Sequence, residues 1–91
     1  MGIIRYHLII SGKVQGVGYR MSALEAAQSL DLSGWVSNLS DGRVEIIAES
    51  EQEKLEQFVT WAKQGPVYAD VAEIKLEELA ATGEFIGFNI R

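Results

Sequence analysis

The stretch SGKVQGVGYR, residues 11–20, combines three glycines and two cations and contains no acid. Glycine lets successive backbone N–H groups turn toward one point without a Cβ in the way, which forms a nest for an anion. Arg20 ends the stretch where a helix-like segment begins, and a helix N-terminus favours negative charge. A guanidinium there can hold two oxygens of a phosphate at once. These residues fit a phosphate cradle, but a glycine-rich turn with a solvated arginine fits the spacing equally well.

Known nucleotide motifs do not match this stretch. A Walker A loop places Gly-Lys and then Ser or Thr after four intervening residues, which SGKVQGVGYR does not do, and GVGYRM lacks the last glycine of the dinucleotide fingerprint. The chain also contains no cysteine, so it has no cysteine nucleophile, no disulfide and no thiolate metal site. Attack on a bound phosphoryl group would therefore use water.

Asn38 is the candidate for positioning that water. It falls on the same side of a predicted strand as the apolar Val36, so its amide is expected to point inward or toward the rim, beside the loop that leaves the first strand. An amide can both donate to and accept from a water molecule. The alternative is a local turn or capping role.

The hydrophobic periodicity defines the elements that must position these groups. It predicts, in order, a strand over 4–10, a helix over 21–30, hairpin strands over 35–39 and 44–48, a helix stopped by Gly65 and Pro66, and strands with Ala72, Ile74 and Leu76 and with Ile86, Phe88 and Ile90 on their apolar sides. The order βαββαβ with a short extra C-terminal strand indicates a ferredoxin-like α+β sandwich, with an antiparallel sheet and both helices on one face. Such a fold hosts many functions and settles none.

The start of the second helix carries a local signal. Ser50 followed by Glu53 predicts a capping box there.

Composition sets further limits. At 91 residues and 47% hydrophobic residues, the chain is expected to form one folded domain over 1–91. The net charge of −5 argues against nucleic-acid binding. Residues 1–24 nevertheless hold three of the eight Lys and Arg and none of the thirteen acids, so the cradle stretch is locally cationic. The first ten residues are too interrupted for a signal peptide or a spanning helix, so we expect a cytoplasmic protein without membrane contact.

Several separated motifs together resemble the acylphosphatase family. They are Gly12, Val14-Gln15-Gly16-Val17, Tyr19-Arg20, Gly34-Trp35-Val36, Asn38, Asp41-Gly42, Gly65-Pro66 and the terminal Phe88-Asn89-Ile90-Arg91. The resemblance covers essentially the whole chain. It departs at Asp31, where glycine is common in the family, and at Tyr19, where phenylalanine is common. The family's glycine implies a left-handed residue just after the first helix, which aspartate tolerates less well, so we expect a small loss of stability at Asp31.

The resemblance implies hydrolysis of the carboxyl-phosphate bond of small acyl phosphates without a metal or cofactor. It further implies that Arg20 binds the phosphoryl group together with the backbone amides of Gln15, Gly16, Val17, Gly18, Tyr19 and Arg20, and that Asn38 orients the attacking water. Family members have no dedicated general base, and an oxygen of the substrate phosphate is proposed to take the proton from water. Nothing in the sequence requires more than a monomer.

Two other classes of function stay open. An RNA-binding module of RRM type shares the element order, but it needs aromatic residues on the central strands and a basic sheet face. A regulatory module could use the same cradle to sense phosphate without turnover. His7, the only histidine, is expected to be a partly exposed strand residue, Asp41 a turn residue, and Trp35 and Trp61 packing residues.

Overall fold

The computed structural model describes residues 2–91, in which five strands and two helices follow the predicted order. They are β1 (Ile4–Lys13), α1 (Tyr19–Ser29), β2 (Ser33–Asn38), β3 (Val44–Ser50), α2 (Gln52–Gln64), β4 (Asp70–Ala80) and β5 (Phe88–Ile90). The predicted ferredoxin-like α+β fold is confirmed. No helix in residues 2–91 has the length and apolar character needed to cross a membrane.

The five strands form one sheet in the order β4-β1-β3-β2-β5. The first four pair antiparallel, as predicted, whereas β5 lies parallel to β2, with Val36 opposite Ile90. Because β4 runs antiparallel to β1, it ends at the edge of the sheet where β1 begins. The next strand therefore starts from that edge and runs in the same direction as β1 and β2. The chain therefore crosses from one side of the sheet to the other between β4 and β5. As a result β1, β2 and β5 all end at the same edge.

The core lies between one face of the sheet and the two helices. Alternate residues of β1 and β3 point into it, and the small residues Ala23 and Ala27 let α1 approach the sheet closely. From α2 come Leu55, Phe58 and Ala62, all within 1% of complete burial. Burying each large side chain of this kind contributes about 1.5–3 kcal/mol. This core fixes the positions of the strand ends.

The C-terminus of α1 depends on a left-handed residue, as the sequence predicts. Asp31 has φ 59°, and it is the one non-glycine residue in 2–91 with positive φ. Its N–H donates to the carbonyl of Gln28, and the N–H of Leu32 donates to that of Ala27, which is the Schellman arrangement. The turn that leads into β2 is therefore well bonded but strained at one residue.

The predicted capping box at α2 is wrong. Ser50 stays in β3, opposite Ile4 and buried, and the helix begins only at Gln52. Glu51 occupies the N-cap position with an extended backbone and makes no side-chain cap hydrogen bond. Strand pairing holds Ser50 in place, so its hydroxyl is not free to cap the helix.

A buried carboxylate fastens the crossing segment between β4 and β5. The Glu49 side chain, 2% exposed, accepts hydrogen bonds from the backbone N–H groups of Thr82 (2.9 Å) and Gly83 (3.1 Å) and from the guanidinium of Arg5 (2.8 Å). Burial alone would raise the pKa of Glu49, but these hydrogen bonds outweigh it and lower the pKa below its ordinary value. The ionised carboxylate thus holds the start of the segment that leads to β5.

Replacing Asp31 by glycine is expected to stabilise the protein. Relief of the left-handed strain should raise the free energy of unfolding by about 1 kcal/mol, which corresponds to a rise in Tm of about 4–8 °C for a domain of this size. Thermal unfolding followed by circular dichroism measures it. Asp31→Ala is the matched control, because alanine keeps the Cβ and should not stabilise. An equal effect of both substitutions would contradict the strain.

Glu49 should make stability depend on acid pH. Because its pKa is lower in the folded than in the unfolded state, its contribution is complete above about pH 4.3, the ordinary value for Glu, and is lost as pH falls through the lower folded value. Glu49→Ala should cost about 2–3 kcal/mol at pH 7, and the difference from wild type should shrink below pH 4. Urea unfolding at pH 7 and pH 3 tests this. A difference that does not change with pH would contradict it.

Candidate active site

Strand pairing brings the two halves of the predicted site together. Val44, at the start of β3, lies opposite Ile10 of β1 on one side and opposite Asn38 of β2 on the other. Ile10 and Asn38 therefore lie about two strand spacings, or roughly 10 Å, apart. The loop that follows β1 lies at the same edge of the sheet as Asn38, the last residue of β2. Residues 28 positions apart in sequence become neighbours across one strand.

The loop between β1 and α1 has the backbone of an anion nest. Gly16 and Gly18 have φ of 74° and 80°, values that side-chain-bearing residues rarely adopt. A Cβ at either position would meet no atom within 4 Å, so glycine is required here by conformation and not by crowding. Within residues 2–91, the backbone N–H groups of residues 15–21 donate to no other backbone group. They are available to a ligand.

The start of α1 adds to this donor set. Its first hydrogen bond runs from the N–H of Ser22 to the carbonyl of Gly18, which leaves the N–H groups of Tyr19, Arg20 and Met21 without intrahelical acceptors. Gly18 provides no side-chain cap, and the first turn holds no acid. The positive end of the helix dipole is therefore uncompensated and favours an anion.

Tyr19 anchors this junction from below. Its side chain is buried, its hydroxyl donates to the carbonyl of Ala62 at 2.8 Å, and its ring packs 5.3 Å from that of Trp61. Burial raises the pKa of Tyr19 well above its ordinary value, so the hydroxyl stays protonated and keeps donating. Gly65 ends α2 as predicted, and a Cβ there would lie 2.8 Å from the Tyr19 ring. The hydroxyl by which Tyr19 differs from phenylalanine thus has the hydrogen-bond partner that a buried polar group requires.

Arg20 is the cation of the cleft. It is half-buried, and no carboxylate of residues 2–91 lies within 4.0 Å of its guanidinium, whereas Arg5 and Arg43 are each paired with an acid. Its side-chain donors are thus not occupied by an ion pair. A guanidinium in this state can make a two-pronged contact with a phosphate.

Asn38 faces the same cleft. Its register with Val44, two residues after Val36 meets Ile46, places its side chain on the helix-covered face, as the sequence predicts. The Oδ1 atom is buried and has no hydrogen-bond partner among the described residues. A buried carbonyl without a partner costs about 1–3 kcal/mol, so a water or ligand at this atom would be favoured.

These groups line one open cleft of about 240 Å³. Its lining residues are Val14, Gln15, Gly16, Gly18, Tyr19, Arg20, Met21, Asn38 and Ile90. Five of the six residues predicted to hold phosphate are included. The exception is Val17, whose side chain packs against the core instead. The family resemblance includes Val14 and Ile90 in its motifs but predicts neither of them, nor Met21, as a site residue. An apolar residue directly after the cradle arginine is a signal that could have pointed to Met21.

The side chain of Gln15 makes two contacts that the sequence did not predict. Its Nε2 donates to the carbonyl of Leu39 at 2.7 Å and to that of Arg43 at 3.0 Å. These residues flank the hairpin turn directly after Asn38. The sequence assigned to Gln15 only its backbone amide, because nothing local reveals partners 24 and 28 residues away.

The other polar candidates lie outside the cleft. His7 points to the opposite sheet face, where its Nε2 lies 2.7 Å from a carboxylate oxygen of Glu45. The Asp41 carboxylate accepts hydrogen bonds from the backbone N–H and from the guanidinium of Arg43. The bond from the backbone N–H is the leading cause of the lowered pKa of Asp41. Asp41 therefore has the predicted turn role. Trp61 packs between Tyr19 and Phe58, while Trp35 is covered by the Arg91 guanidinium 4.4 Å from its ring.

A second, larger cleft lies at the other end of the molecule. It has a volume of about 580 Å³ and is lined by Gly2, Ile4, Glu51, Gln52, Glu53, Lys54 and Gln57. Its two acids would repel a phosphate. Within residues 2–91, no group of three His, Asp or Glu side chains is placed to hold a metal ion.

Comparison with known proteins agrees with this geometry. The family model described as acylphosphatase matches residues 6–90. The chain is 52% identical over 88 residues to the protein named acylphosphatase from Marinobacter nauticus, covering 97% of this chain and 96% of the relative. It is also similar to the crystal structure of an acylphosphatase from Bacillus subtilis, with a TM-score of 0.94, 38% identity and coverage of 97% and 98%. An acylphosphatase structure from Coxiella burnetii matches with a TM-score of 0.92 and 37% identity over 98% of this chain and 93% of that one. The chain belongs to the acylphosphatase family, whose members are enzymes that act on small acyl phosphates.

Proposed function

We propose that the chain hydrolyses acyl phosphates to a carboxylate and inorganic phosphate without a metal, using Arg20 and the loop amides to bind the phosphoryl group and Asn38 to orient water. The observation that carries the proposal is one cleft in which unpaired donors face an unpaired acceptor. The donors are the amides of residues 15–21 and the guanidinium of Arg20, and the acceptor is Asn38 Oδ1. An anion and a water molecule would satisfy both sets.

Binding of the phosphoryl group follows from charge and direction. Its oxygens carry the negative charge, and the loop amides, the N-terminus of α1 and Arg20 all present positive potential to the cleft. The donors are fixed by the backbone before substrate arrives, so little reorganisation is needed during the reaction. In an otherwise acidic chain, the absence of acids from residues 1–24 also guides an anion toward this loop.

Attack then requires one aligned water. Asn38 Oδ1 accepts a hydrogen bond from the water, which directs an oxygen lone pair toward phosphorus. The new bond forms between the water oxygen and phosphorus while the bond from phosphorus to the acyl oxygen breaks, and the electron pair leaves with the carboxylate. The cleft lining includes no carboxylate or imidazole, so a phosphoryl oxygen takes the proton of the water. Acyl phosphates have a good leaving group, so positioning and charge neutralisation supply most of the catalysis.

The two alternative functions are less well supported. The sheet face opposite the helices carries the solvent-accessible carboxylates of Glu45 and Glu77, which are unfavourable for the RNA contacts of an RRM-type module. A phosphate-sensing module would use the same donors, but it would not need an unpaired acceptor beside them. We further propose that the protein acts as a monomer in the cytoplasm, which sedimentation analysis and cell fractionation test.

Arg20 and Asn38 should separate binding from turnover. With acetyl phosphate as substrate and EDTA present, wild type should be active. Arg20→Ala should lower kcat/KM by at least about 100-fold because phosphoryl binding is lost, and Asn38→Ala should lower kcat by about 100-fold or more with a smaller change in KM. Arg20→Lys should recover only part of the loss, since an ammonium keeps the charge without the fork.

Inorganic phosphate provides the control for folding. It should raise the Tm of wild type and of Asn38→Ala, which keep the cradle, and should not raise that of Arg20→Ala. A folded wild-type protein with no activity above the uncatalysed rate would exclude the enzyme. Activity abolished by EDTA would exclude the metal-free mechanism.

A further inference from the structure

We infer that the side chain of Gln15 is a positioning residue that sets the distance between the phosphate cradle and Asn38. The inference rests on the proposed function but on a different observation. Both hydrogens of the Gln15 amide are used, one on the carbonyl of Leu39 and one on that of Arg43. The backbone of Gln15 is part of the cradle, and its side chain is hydrogen-bonded to the hairpin that carries Asn38.

The two halves of the site need such a link. β1 and β2 are not neighbours, because β3 lies between them. Within residues 2–91, the two hydrogen bonds of Gln15 are the side-chain hydrogen bonds that join the loop at 14–18 to the hairpin at 38–43. The carbonyl of Arg43 also accepts from the N–H of Leu39 at 2.8 Å, so Gln15 binds the closed neck of the hairpin. That neck directly follows Asn38.

Loss of the Gln15 side chain is expected to impair attack by the water molecule and not phosphate binding. The loop amides and Arg20 are expected to stay in place without the Gln15 side chain, because buried Tyr19 anchors that backbone and Gly16 and Gly18 adopt its left-handed turns without strain. The end of β2, in contrast, would lose its tether to the cradle. A displacement of about 1 Å between reacting groups can cost about 100-fold in rate. Gln15 therefore acts through Asn38.

Two substitutions of similar size test the link. Gln15→Met keeps the length and removes both donors, and Gln15→Glu keeps the shape but sets a carboxylate against two carbonyl oxygens. Each should lower kcat for acetyl phosphate by about 10–100-fold. In Gln15→Met the Kd for inorganic phosphate, measured by NMR titration, should change by less than about 3-fold, whereas in Gln15→Glu the added negative charge in the cleft should also weaken phosphate binding. Gln52→Met is the matched control, because Gln52 is exposed, donates to the Glu56 carboxylate and lies outside the cleft lining, so it should show no change.

A double-mutant cycle separates positioning from general stability. In the Asn38→Ala background, Gln15→Met should lower kcat by less than about 2-fold, because the group through which it acts is already absent. Full additivity would overturn the inference, as would wild-type kcat in Gln15→Met. If the wild-type protein were inactive, this result would contradict only the proposed function. The link would still be tested by the side-chain NMR signals of Asn38, which must shift in Gln15→Met and not in Gln52→Met.

A second observation, the apolar mouth of the cleft, carries an inference about the acyl group. Met21, in the first turn of α1, and Ile90, at the end of β5, both line the cleft, and their side chains are 55% and 36% exposed. The cleft lining contains no acid, and its one cation is assigned to the phosphoryl group. We infer that Met21 and Ile90 receive the acyl part of the substrate and favour apolar acyl groups over charged ones.

The chemistry of the two residues supports this choice. An apolar acyl group that leaves the cradle would bury surface against both side chains, and methionine adapts its shape to different partners. An acyl group with its own carboxylate or second phosphate would meet no further cation in the cleft lining. Its negative charge would lose hydration without forming an ion pair in return. The selection is modest because the mouth is open to solvent.

Ratios of kcat/KM measure this selection. The test compares benzoyl phosphate, acetyl phosphate and succinyl phosphate, whose acyl groups are aromatic, small and negatively charged, respectively. Replacing both Met21 and Ile90 by serine should lower the ratio of benzoyl to succinyl phosphate by about 10-fold or more. Comparing each ratio with wild type removes differences in leaving-group reactivity. Val67→Ser, at a residue 92% exposed and outside the cleft, is the control and should leave the ratios unchanged.

The outcomes are distinct. An unchanged benzoyl to succinyl ratio in the double variant would overturn the assignment of the mouth while leaving the enzyme intact. Absence of hydrolysis of all three substrates by wild type would overturn the proposed function instead. A lower ratio in Val67→Ser as well would show that the selection is not made at the mouth.

Discussion

The register of β3 is the constraint on which the site depends. Val44 pairs with Ile10 on one side and with Asn38 on the other, so a single residue aligns the end of β1 with the end of β2. Side chains alternate across a strand, and a shift of β2 by one residue would turn Asn38 to the opposite face, away from the cradle. Burial disfavours that shift, since it would also turn the fully buried Val36 out of the core, and a shift of β3 would likewise expose Val44 and Ile46. The same apolar pattern that drives folding therefore fixes the geometry of the site.

The polar part of the cleft consists of groups that the fold leaves unpaired. Within the part of the chain that the structure describes, the seven amides of residues 15–21, from the loop and the first turn of α1, and the buried Oδ1 of Asn38 have no hydrogen-bond partner, although folded proteins pair most such groups. The glycines adopt the left-handed turns of the loop without strain, and the well-packed Tyr19 beneath it anchors the backbone. Stability from the core offsets the cost, and the groups are already oriented before a ligand binds. This preorganisation is what a reaction governed by positioning requires.

Much of this was accessible from sequence because it depends on local rules. Alternating apolar residues predict the strands, and the proline next to Gly65 marks the end of α2. The left-handed turn at Asp31 follows from the glycine that the family commonly has at that position. The failures involve competition or distance. Ser50 has the capping signature, but strand pairing retains it in β3. The partners of the Gln15 side chain and the parallel pairing of β5 depend on chain crossings that no local pattern encodes.

The parallel β5 also divides the site into two ends with different chemistry. In the proposed mechanism, the cradle after β1, which presents donors and positive potential, binds the phosphoryl group that all acyl phosphates share. Ile90 reaches the mouth because the crossing segment, held at Glu49, places β5 beside β2 with its end at the edge of the cleft. On the inferred assignment of the mouth, distinction among acyl groups depends on β5, the last strand in the sequence. Changes in the crossing segment would then alter that distinction and leave the cradle between β1 and α1 unaffected.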